Sequence, residues 1–546
     1  MRGLGTLLNG PNTLGGTIEV SHDNAFGRAG TGGMWSSVGV DETAAFVASV
    51  GGGRTIENAL GGSLSLRGGV AHRQSDGFSL PAGAFDTTAT DGLRTNSDLR
   101  HSDVFGLLRW ENRSGRTLGV TFAGFDAERG VPPEEHVASP RLWRYPYHTR
   151  GLVAISGKSG TFATPFGFGS IDIGGGYNSG RQKIESFTDR TYRSSAAEEL
   201  GNERTLTGRA QLTHTLPRNA TLKAAFTLAN VDYTEWVPPN AHADYRQMIL
   251  SGGAEVEVPV GLKTTLAGGL VYDRSSTPES GGRPRAAPFD DAGWRAGLVH
   301  ELDAHWRVHA SASQRSRFPA LRELYSGALN RFTPNPDLEP ETLLGFETGI
   351  TVDRAIGPIP DATIQLNAFH HNLDDAVVRV TLQNPTRFFR LNRDRIESMG
   401  AELLAGFVFG EDRGRSVSLT GDALVQRVRI YDVTASDAER RPENNPETRG
   451  MLELGVPLPL ELRGYANARY TGRQYCVHPD TQGQMELSAQ TETDLAVERR
   501  LVTSRRGLFR SVRLLVSLDN VTDATVFDQC GLPQAGRTLR MMVALR

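Results

Sequence analysis

The feature that most constrains this chain is an alternation of apolar and polar residues in segments of roughly ten, repeated from about residue 30 onward. In one such segment Leu118, Val120 and Phe122 fall on one face of a strand, and smaller or polar residues fall on the other. The same period recurs at 222–229, 462–469, 512–519 and 539–546. A soluble β-sandwich also alternates in this way, so the period predicts strands without deciding how they are arranged.

The connections between these segments are more informative, because their lengths alternate as well. Short connections lie at 112–115, 216–219, 303–306 and 456–459, and between them run long polar stretches near 76–100, 129–149, 181–202, 233–245, 274–290, 318–340, 429–447 and 473–485. Outer-membrane barrels have short turns at one end and long loops at the other, whereas a sandwich has no reason to keep its long loops on one side. We therefore predict an all-β fold, a transmembrane antiparallel β-barrel of about 22 strands, the size at which such barrels have a plugged lumen.

Composition is compatible with a membrane barrel and excludes other classes of protein. Charged residues make up 22% of the chain, the mean hydropathy is −0.35, and no window approaches the run of about 18 apolar residues that a membrane helix needs. Barrel strands have this profile because half of their residues face a polar lumen. A net charge of −3 predicts no nucleic-acid partner, and two cysteines in 546 residues exclude a disulfide scaffold and a cysteine-based metal site.

No sequence motif for catalysis is complete in this chain. Residues 157–159, Gly-Lys-Ser, lack the glycine that a phosphate-binding loop carries five residues earlier, where this chain has Leu152. His370 and His371 are adjacent, so in a strand they face opposite sides and cannot chelate one metal together. We predict no catalytic residue, no metal site and no cofactor, and therefore a protein that is not an enzyme.

The first 20 residues carry a separate signal, a glycine-rich run that ends in the short strand 17–20. Its characteristic residues are Arg2, Gly3, Gly10, Gly15 and Gly16. This run resembles the last segment of the plug domain of TonB-dependent outer-membrane receptors, although Leu4 replaces a proline and Asn9 an aromatic residue of that family. The resemblance implies a plug remnant at 1–28 and a barrel with long extracellular loops at 29–546. Because Met1 enters the motif in mid-course, we expect a truncated chain whose plug domain is largely missing.

The densest resemblance to this family lies between residues 313 and 350. The chain reads Phe-Pro-Ala-Leu-Arg-Glu-Leu-Tyr at 318–325, Asn-Pro-Asp-Leu-Glu-Pro-Glu-Thr at 335–342 and Phe-Glu-Thr-Gly at 346–349, in the order and spacing of the family signature. Residues 392–403 and 516–546 resemble two further strands of the family, although the chain ends in Leu-Arg where the family usually has a terminal aromatic residue. The resemblance covers essentially the whole chain.

The resemblance implies a receptor and transporter in the outer membrane of a Gram-negative bacterium. Such a protein lies in the lipid bilayer, here expected as a monomer, and binds a small solute or metal chelate such as a ferric siderophore. The inner-membrane TonB complex energises uptake through a plug segment that we expect this chain to lack. A passive diffusion channel is one alternative function, and a soluble β-rich binding protein or carbohydrate enzyme is a weaker one.

The loop with the most aromatic and basic residues is the candidate substrate site. It contains Arg141, Trp143, Arg144, Tyr145, Tyr147 and His148. Guanidinium groups and aromatic planes suit carboxylate-bearing or catecholate ligands. They also suit the aromatic girdle at the membrane interface, and the sequence favours the girdle over the ligand site.

Alternation also predicts which charged side chains face the lumen. Glu347, Glu402, Arg463, Arg469 and Arg540 should point inward, because an arginine or lysine on the lipid face costs about 2–4 kcal/mol at the midplane.

Counting strands back from the C-terminus places Cys476 and Cys530 in adjacent extracellular loops. The two cysteines then lie on the same oxidising side of the membrane, within reach of the Cα separation of about 4.4–6.8 Å that a disulfide needs. We predict a disulfide between them, with two unpaired thiols as the alternative.

Overall fold

The computed structural model describes residues 6–14, 33–84, 86, 89, 92–357, 359–382, 387–410, 416–437, 439–478, 480–502 and 511–546. Within these residues the main sheet has 24 strands, of which two short ones, Phe162–Thr164 and Phe332–Thr333, lie beside the wall and the other 22 form it. The wall strands are numbered β1 to β22 in chain order.

The wall consists of antiparallel neighbours that follow one another in sequence. The strands are β1 Gly33–Asp41, β2 Phe46–Ala59, β3 Gly62–Ser75, β4 Leu99–Asn112, β5 Arg116–Val131, β6 Trp143–Ser159, β7 Gly167–Phe187, β8 Ser195–Thr215, β9 Thr221–Trp236, β10 Ala243–Val260, β11 Thr264–Ser280, β12 Phe289–Glu301, β13 Trp306–Arg317, β14 Glu341–Asp353, β15 Asp361–Leu382, β16 Arg387–Phe409, β17 Val417–Tyr431, β18 Thr448–Leu458, β19 Leu462–Thr471, β20 Gln490–Val502, β21 Ser511–Asp519 and β22 Thr538–Leu545.

Pairing of the last strand with the first closes the sheet into a barrel. Val543 of β22 lies opposite Val38 of β1, so every wall strand has two neighbours and the sheet has no free edge. The predicted architecture, an antiparallel barrel of about 22 strands, is therefore confirmed.

Two faces of the wall are distinguished by the register. Val50, Val70 and Val104 lie directly opposite one another on three successive strands, and all three are exposed on one face. The opposite face is the lumen, because residues 6–14 contact it: the Thr6 hydroxyl donates a hydrogen bond to Glu255 at 2.7 Å. The apolar face is thus the outer wall, as expected for strands whose outward residues meet lipid.

The predicted facing of charged residues is confirmed by this register. Glu347, Glu402, Arg463, Arg469 and Arg540 all lie on the lumenal face, alternating with the outward apolar residues of their strands. Several of them pair across the lumenal face with charges from neighbouring strands, as the guanidinium of Arg469 does with two carboxylates. Part of the charge on the lumenal face is therefore neutralised within that face.

The connections differ in length at the two ends of the barrel. At one end, the turn end, the chain reverses in short turns such as 60–61 and 113–115. At the other, the loop end, lie the connections 76–98, 132–142, 318–340, 432–447, 472–489 and 520–537. Other short elements are the α-helix Leu321–Leu324, the 3-10 helices Leu7–Asn9 and Pro217–Asn219, and the hairpins Gln474–Val477 with Gln484–Leu487 and Phe527–Gln529 with Leu532–Pro533. Among the described residues no helix is long and apolar enough to cross a membrane.

The segment 6–14 is bound to the lumenal face of β10 to β13. Arg315 donates hydrogen bonds to the carbonyl oxygens of Leu7 and Gly10, and it also forms an ion pair with Asp273 at 3.0 Å. Gly10 has a φ of +99°, a left-handed conformation that favours glycine. The other residues of the predicted plug motif, Arg2, Gly3, Gly15 and Gly16, lie outside the described residues.

Candidate functional site

The connection 318–340, the mouth loop, folds from the loop end into the lumen and is fixed there by two buried carboxylates. Arg322 and the backbone N–H of Leu329 each donate to Glu199 of β8 at 2.9 Å. The hydroxyl of Ser326 donates to Glu235 of β9. Glu199 is fully buried, and a buried carboxylate without partners would be costly, so these contacts determine where the loop lies.

A stack of three tyrosines packs the mouth loop against the wall. The ring of Tyr325 lies 5.4 Å from that of Tyr245, which in turn lies 6.0 Å from that of Tyr233, and the rings are nearly parallel. The Tyr325 hydroxyl accepts a hydrogen bond from the backbone N–H of Ala286 at 2.9 Å. Burial raises the pKa of Tyr325 above its ordinary value, so the phenol remains protonated at neutral pH.

Next to this loop, arginine and aromatic side chains from four segments come together. We call them the mouth cluster: Trp143, Arg331, Phe332, Arg379, Phe388 and Arg390. Two residues of the mouth loop thereby meet the beginning of β6 and the loop-end parts of β15 and β16. Phe332 of the mouth loop pairs in register with Phe388 of the wall strand β16, and this pairing positions the cluster.

Each guanidinium of the mouth cluster lies against an aromatic ring. Arg331 lies 5.5 Å from the ring centre of Trp143 and 5.4 Å from that of Phe388. Arg379 lies 4.8 Å from Phe388. Arg390 is 4.1 Å from the centre of Phe332. Stacking of this kind holds the planar groups in fixed orientations while their N–H donors remain able to bind a ligand.

The mouth cluster carries uncompensated positive charge. Arg379 pairs with Glu443 at 2.9 Å, but Arg331 and Arg390 form no ion pair among the described residues. Burial lowers the pKa of Arg331 from its ordinary value, Glu134 opposes this, and the nearby charge of Arg379 lowers the pKa further. Because a guanidinium stays protonated in proteins, the cluster is suited to bind an anion.

The candidate residues from the aromatic loop do not form one site. Trp143 belongs to the mouth cluster, and Arg141 lies 5.9 Å from its ring while pairing with Glu134. The remaining candidates lie elsewhere: Arg144 pairs with Asp98 at 2.6 Å, Tyr145 lies 4.8 Å under Arg129, His148 packs edge-on against Phe125, and Tyr147 is paired in register with Lys183.

Sequence reasoning missed most of the mouth cluster. Arg331, Phe332, Arg379, Phe388 and Arg390 are distant in sequence, and no motif marks them as one group. A local signal existed, because arginine adjoins phenylalanine both at 331–332 and at 388–390. Only the closed wall brings these two segments to the same place.

The comparisons with known proteins decide the family. A family model described as "TonB dependent receptor-like, beta-barrel" matches residues 87–521. The chain belongs to the TonB-dependent receptor family. This confirms the predicted family and places the protein in the outer membrane of a Gram-negative bacterium. Members of the family are receptors and transporters that bind a substrate and interact with TonB.

Solved structures of other TonB-dependent receptors share the fold. The copper transporter OprC is 15% identical with a TM-score of 0.79, and the match covers 100% of this chain and 84% of that one. The hemophore receptor HasR of Serratia marcescens is 14% identical with a TM-score of 0.76, covering 100% and 85%. The FrpB iron transporter of Neisseria meningitidis is 13% identical with a TM-score of 0.76, covering 95% and 83%. No curated protein sequence matches the chain.

Beside the mouth cluster of this TonB-dependent receptor, five extracellular connections contact one another. We call this group the loop cap; it consists of 76–98, 132–142, 188–194, 472–489 and 520–537. The buried Arg94 pairs with Asp86 at 2.9 Å and with Glu135 at 2.7 Å, and Glu135 also pairs with Arg190 at 3.0 Å. Three of the five connections are thereby joined by one network of charges.

The other two connections of the loop cap are joined by a disulfide. Cys476 and Cys530 are bonded, with their Cα atoms 6.5 Å apart. His136 lies beside this bridge, with its ring 5.6 Å from that of His478. Gly531 has a φ of +71° and lies so close to His136 that a side chain there would collide with it. No cluster of three or more metal-ligating side chains occurs in the part of the chain that the structure describes.

Proposed function

We propose that this TonB-dependent receptor captures a scarce anionic solute with planar groups, such as a ferric siderophore, and imports it across the outer membrane. The observation that carries this proposal is the mouth cluster, in which three arginines lie against aromatic rings at the extracellular end of the lumen. The chemistry of the cluster matches catecholate or carboxylate groups around a metal, because arginine binds such oxygens in pairs and aromatic rings stack on planar groups. The chain itself makes and breaks no bonds in this function.

The position of the cluster supports transport as well as capture. Arg331 and Phe332 belong to the mouth loop, whose first residues reach the segment 6–14: the backbone N–H of Phe318 donates to the side chain of Asn12 at 2.9 Å. A ligand bound at Arg331 is thus connected to residues 6–14 through one continuous loop. We propose that residues 1–28 belong to the plug domain, that the barrel follows from 29, and that the plug detects ligand through this contact.

The partners that we propose follow from this division. TonB would act on a segment of the plug domain, and the closed wall suits a monomer, since β22 pairs with β1 of the same chain. The solute, the lipid bilayer and the TonB complex are then the only partners that the function needs.

Binding of a ferric tris-catecholate complex tests the proposal. Arg331→Ala and Arg390→Ala should each weaken binding by tenfold or more, because a charged hydrogen bond contributes roughly 1.5–3 kcal/mol. The conservative Arg331→Lys variant should recover part of the affinity, since the charge remains but the paired donors do not. Quenching of tryptophan fluorescence is a suitable readout because Trp143 lies in the cluster.

A matched control is Arg150→Ala, which removes a guanidinium from the lumenal face that already pairs with Glu203. Its affinity should equal that of the wild type. Equal binding by all variants would contradict the proposed site. An ion conductance in planar bilayers that neither the chelate nor the arginine variants change would favour a passive diffusion channel instead.

A further inference from the structure

Polar side chains form a regular grid on the outer wall of β15 to β17, about halfway along β15 and β16. In register, His370 lies opposite Met399 and Met399 opposite Arg427. The next row toward the loops contains Glu397 and Arg429. These side chains point outward, because they continue the apolar face on which Val425 is 61% exposed one row below. The grid therefore begins where the apolar belt ends.

Within this grid lies a cavity of about 860 Å³. Its walls include His370, Arg395, Arg427, Arg429 and Tyr431. A cavity of this size accommodates a headgroup, and its position on the outer wall makes it accessible from the outer leaflet and not from the lumen.

Most of the basic groups in the cavity already have an acidic partner. Arg395 pairs with Asp374 at 2.7 Å, and Arg429 with Glu447 at 2.9 Å. The exception is Arg427, which is exposed and forms none of the ion pairs found among the described residues. Arg427 lies near Glu397 without forming an ion pair with it, so its N–H donors remain able to bind a further anion at the membrane interface.

An apolar groove reaches the cavity from below. The groove measures about 780 Å³ and passes small outward side chains such as Ala310, Ala312 and Ala368 between the larger Leu298 and Phe346. Groove and cavity meet at His370, which lines both. The recess is lined by four arginines, Arg395, Arg427, Arg429 and Arg440, and by three carboxylates, Asp394, Glu397 and Asp432. The outer wall thus places an apolar channel directly below a polar, arginine-rich recess, which is the order of the acyl chains and headgroup of a lipid.

We propose that this recess binds the phosphate group of an anionic lipid of the outer leaflet, with an acyl chain of the same lipid in the groove. Arg427 is the phosphate ligand without an acidic partner, Arg429 supplies the N–H donors that its pair with Glu447 through Nη1 leaves over, and Phe346 bounds the acyl chain. The continuous groove favours a lipid over free phosphate, because inorganic phosphate would leave the apolar part of the site unfilled. Bound lipid fixes the depth of β15 to β17 in the membrane.

Retention of diphosphoryl lipid A by the detergent-purified full chain tests this proposal, with native mass spectrometry to count the bound lipid. The wild type should retain the lipid, and lipid A stripped of its phosphates should be retained far less. Each of the changes Arg427→Gln and Arg429→Gln should weaken retention about fivefold, as expected for one arginine at an anionic membrane surface. Inorganic phosphate should not displace the lipid.

The control variant is Arg274→Gln, which removes an arginine from the outer wall, where it pairs with Asp290. This variant should retain lipid A as the wild type does, and the heat-dependent gel mobility of all variants should show an intact barrel. Unchanged retention in the Arg427 and Arg429 variants would overturn the site. Displacement by inorganic phosphate, or equal retention of the dephosphorylated lipid, would overturn the assignment of a lipid phosphate.

Discussion

At Cys476 and Cys530 a covalent bond joins two extracellular loops that are 54 residues apart in sequence. Closing a loop of this length in the unfolded chain removes entropy worth on the order of 4 kcal/mol in the chain-entropy model. We expect Cys476→Ser to lower the unfolding free energy by up to that amount and to loosen the loop cap first. Urea unfolding followed by gel mobility measures the loss, and labelling of the unreduced, denatured wild type should detect no free thiol.

A reductant provides the matched control for this prediction. It should lower the stability of the wild type to that of Cys476→Ser and leave the variant unchanged. Two reactive thiols in the unreduced wild type would show that the bond does not form.

His136 makes the loop cap sensitive to pH. Burial lowers the pKa of His136 below its ordinary value of 6.5, and the charge of His478 acts in the same direction. The unfolded loop therefore binds a proton more readily than the packed loop does, so the packing is complete above pH 6.5 and is weakened as the pH falls through the lowered pKa. After correction for the intrinsic pH dependence of amide exchange, the protection of 132–142 and 472–489 should be lower at pH 5.5 than at pH 7.5, roughly one pH unit on each side of that value.

The comparison variant for this pH effect is His136→Gln, which cannot titrate. Its loop cap should exchange at a rate that does not differ between the two pH values beyond the intrinsic effect of pH on exchange. The same loss of protection in the variant as in the wild type would assign the effect to other groups.

Among the elements, the mouth loop depends most on single contacts with the wall. Glu199 accepts hydrogen bonds from Arg322 and from the backbone of Leu329, and it is fully buried. We expect Glu199→Ala to remove the ion pair with Arg322 and to leave the buried backbone N–H of Leu329 without an acceptor, which costs about 1–3 kcal/mol. The loop should leave the lumen before the barrel unfolds, and limited proteolysis within 318–340 should detect its release.

The neighbouring residue offers a close control for the mouth loop. Glu198 lies on the opposite face of β8 and pairs with Lys183 at 2.8 Å. Glu198→Ala should leave the mouth loop as resistant to protease as it is in the wild type, because a partly exposed pair contributes only about 0–1 kcal/mol. Equal cleavage of both variants would mean that Glu199 does not anchor the loop.

On the scale of the whole molecule, the two faces of the wall should differ in their response to the same charge. Val516 points outward and is 42% exposed, whereas Leu515 points into the lumen opposite Glu498. Val516→Arg should cost about 2–4 kcal/mol of stability in a bilayer, while Leu515→Arg gains a carboxylate neighbour and should be tolerated. Unfolding of the two variants in lipid vesicles compares them directly. A larger loss for Leu515→Arg would contradict the assignment of the faces.

The sequence by itself determined the wall of this protein. The period of two fixes which side chains share a face, and the alternation of short and long connections fixes the order of strands and the end at which each loop lies. These are local properties of each hairpin, so the strand number, the lumenal position of charges such as Arg469 and Arg540, and the placement of Cys476 and Cys530 on one side could all be obtained by counting.

Only the tertiary structure decided which loop residues meet. The sequence offers the aromatic loop as one candidate substrate site, with the interfacial girdle favoured. A β-bulge between Arg144 and Tyr147, together with the alternation of the strand, sends its side chains to different neighbours. Arg331 reaches Arg390 of β16 because the mouth loop folds inward onto Glu199 and Glu235, a contact between residues more than 90 positions apart. The alternation of apolar and polar residues does not predict contacts between residues so far apart in sequence, because a loop has no repeating pattern. The path of a loop is set by the few buried polar groups whose hydrogen bonds it must satisfy.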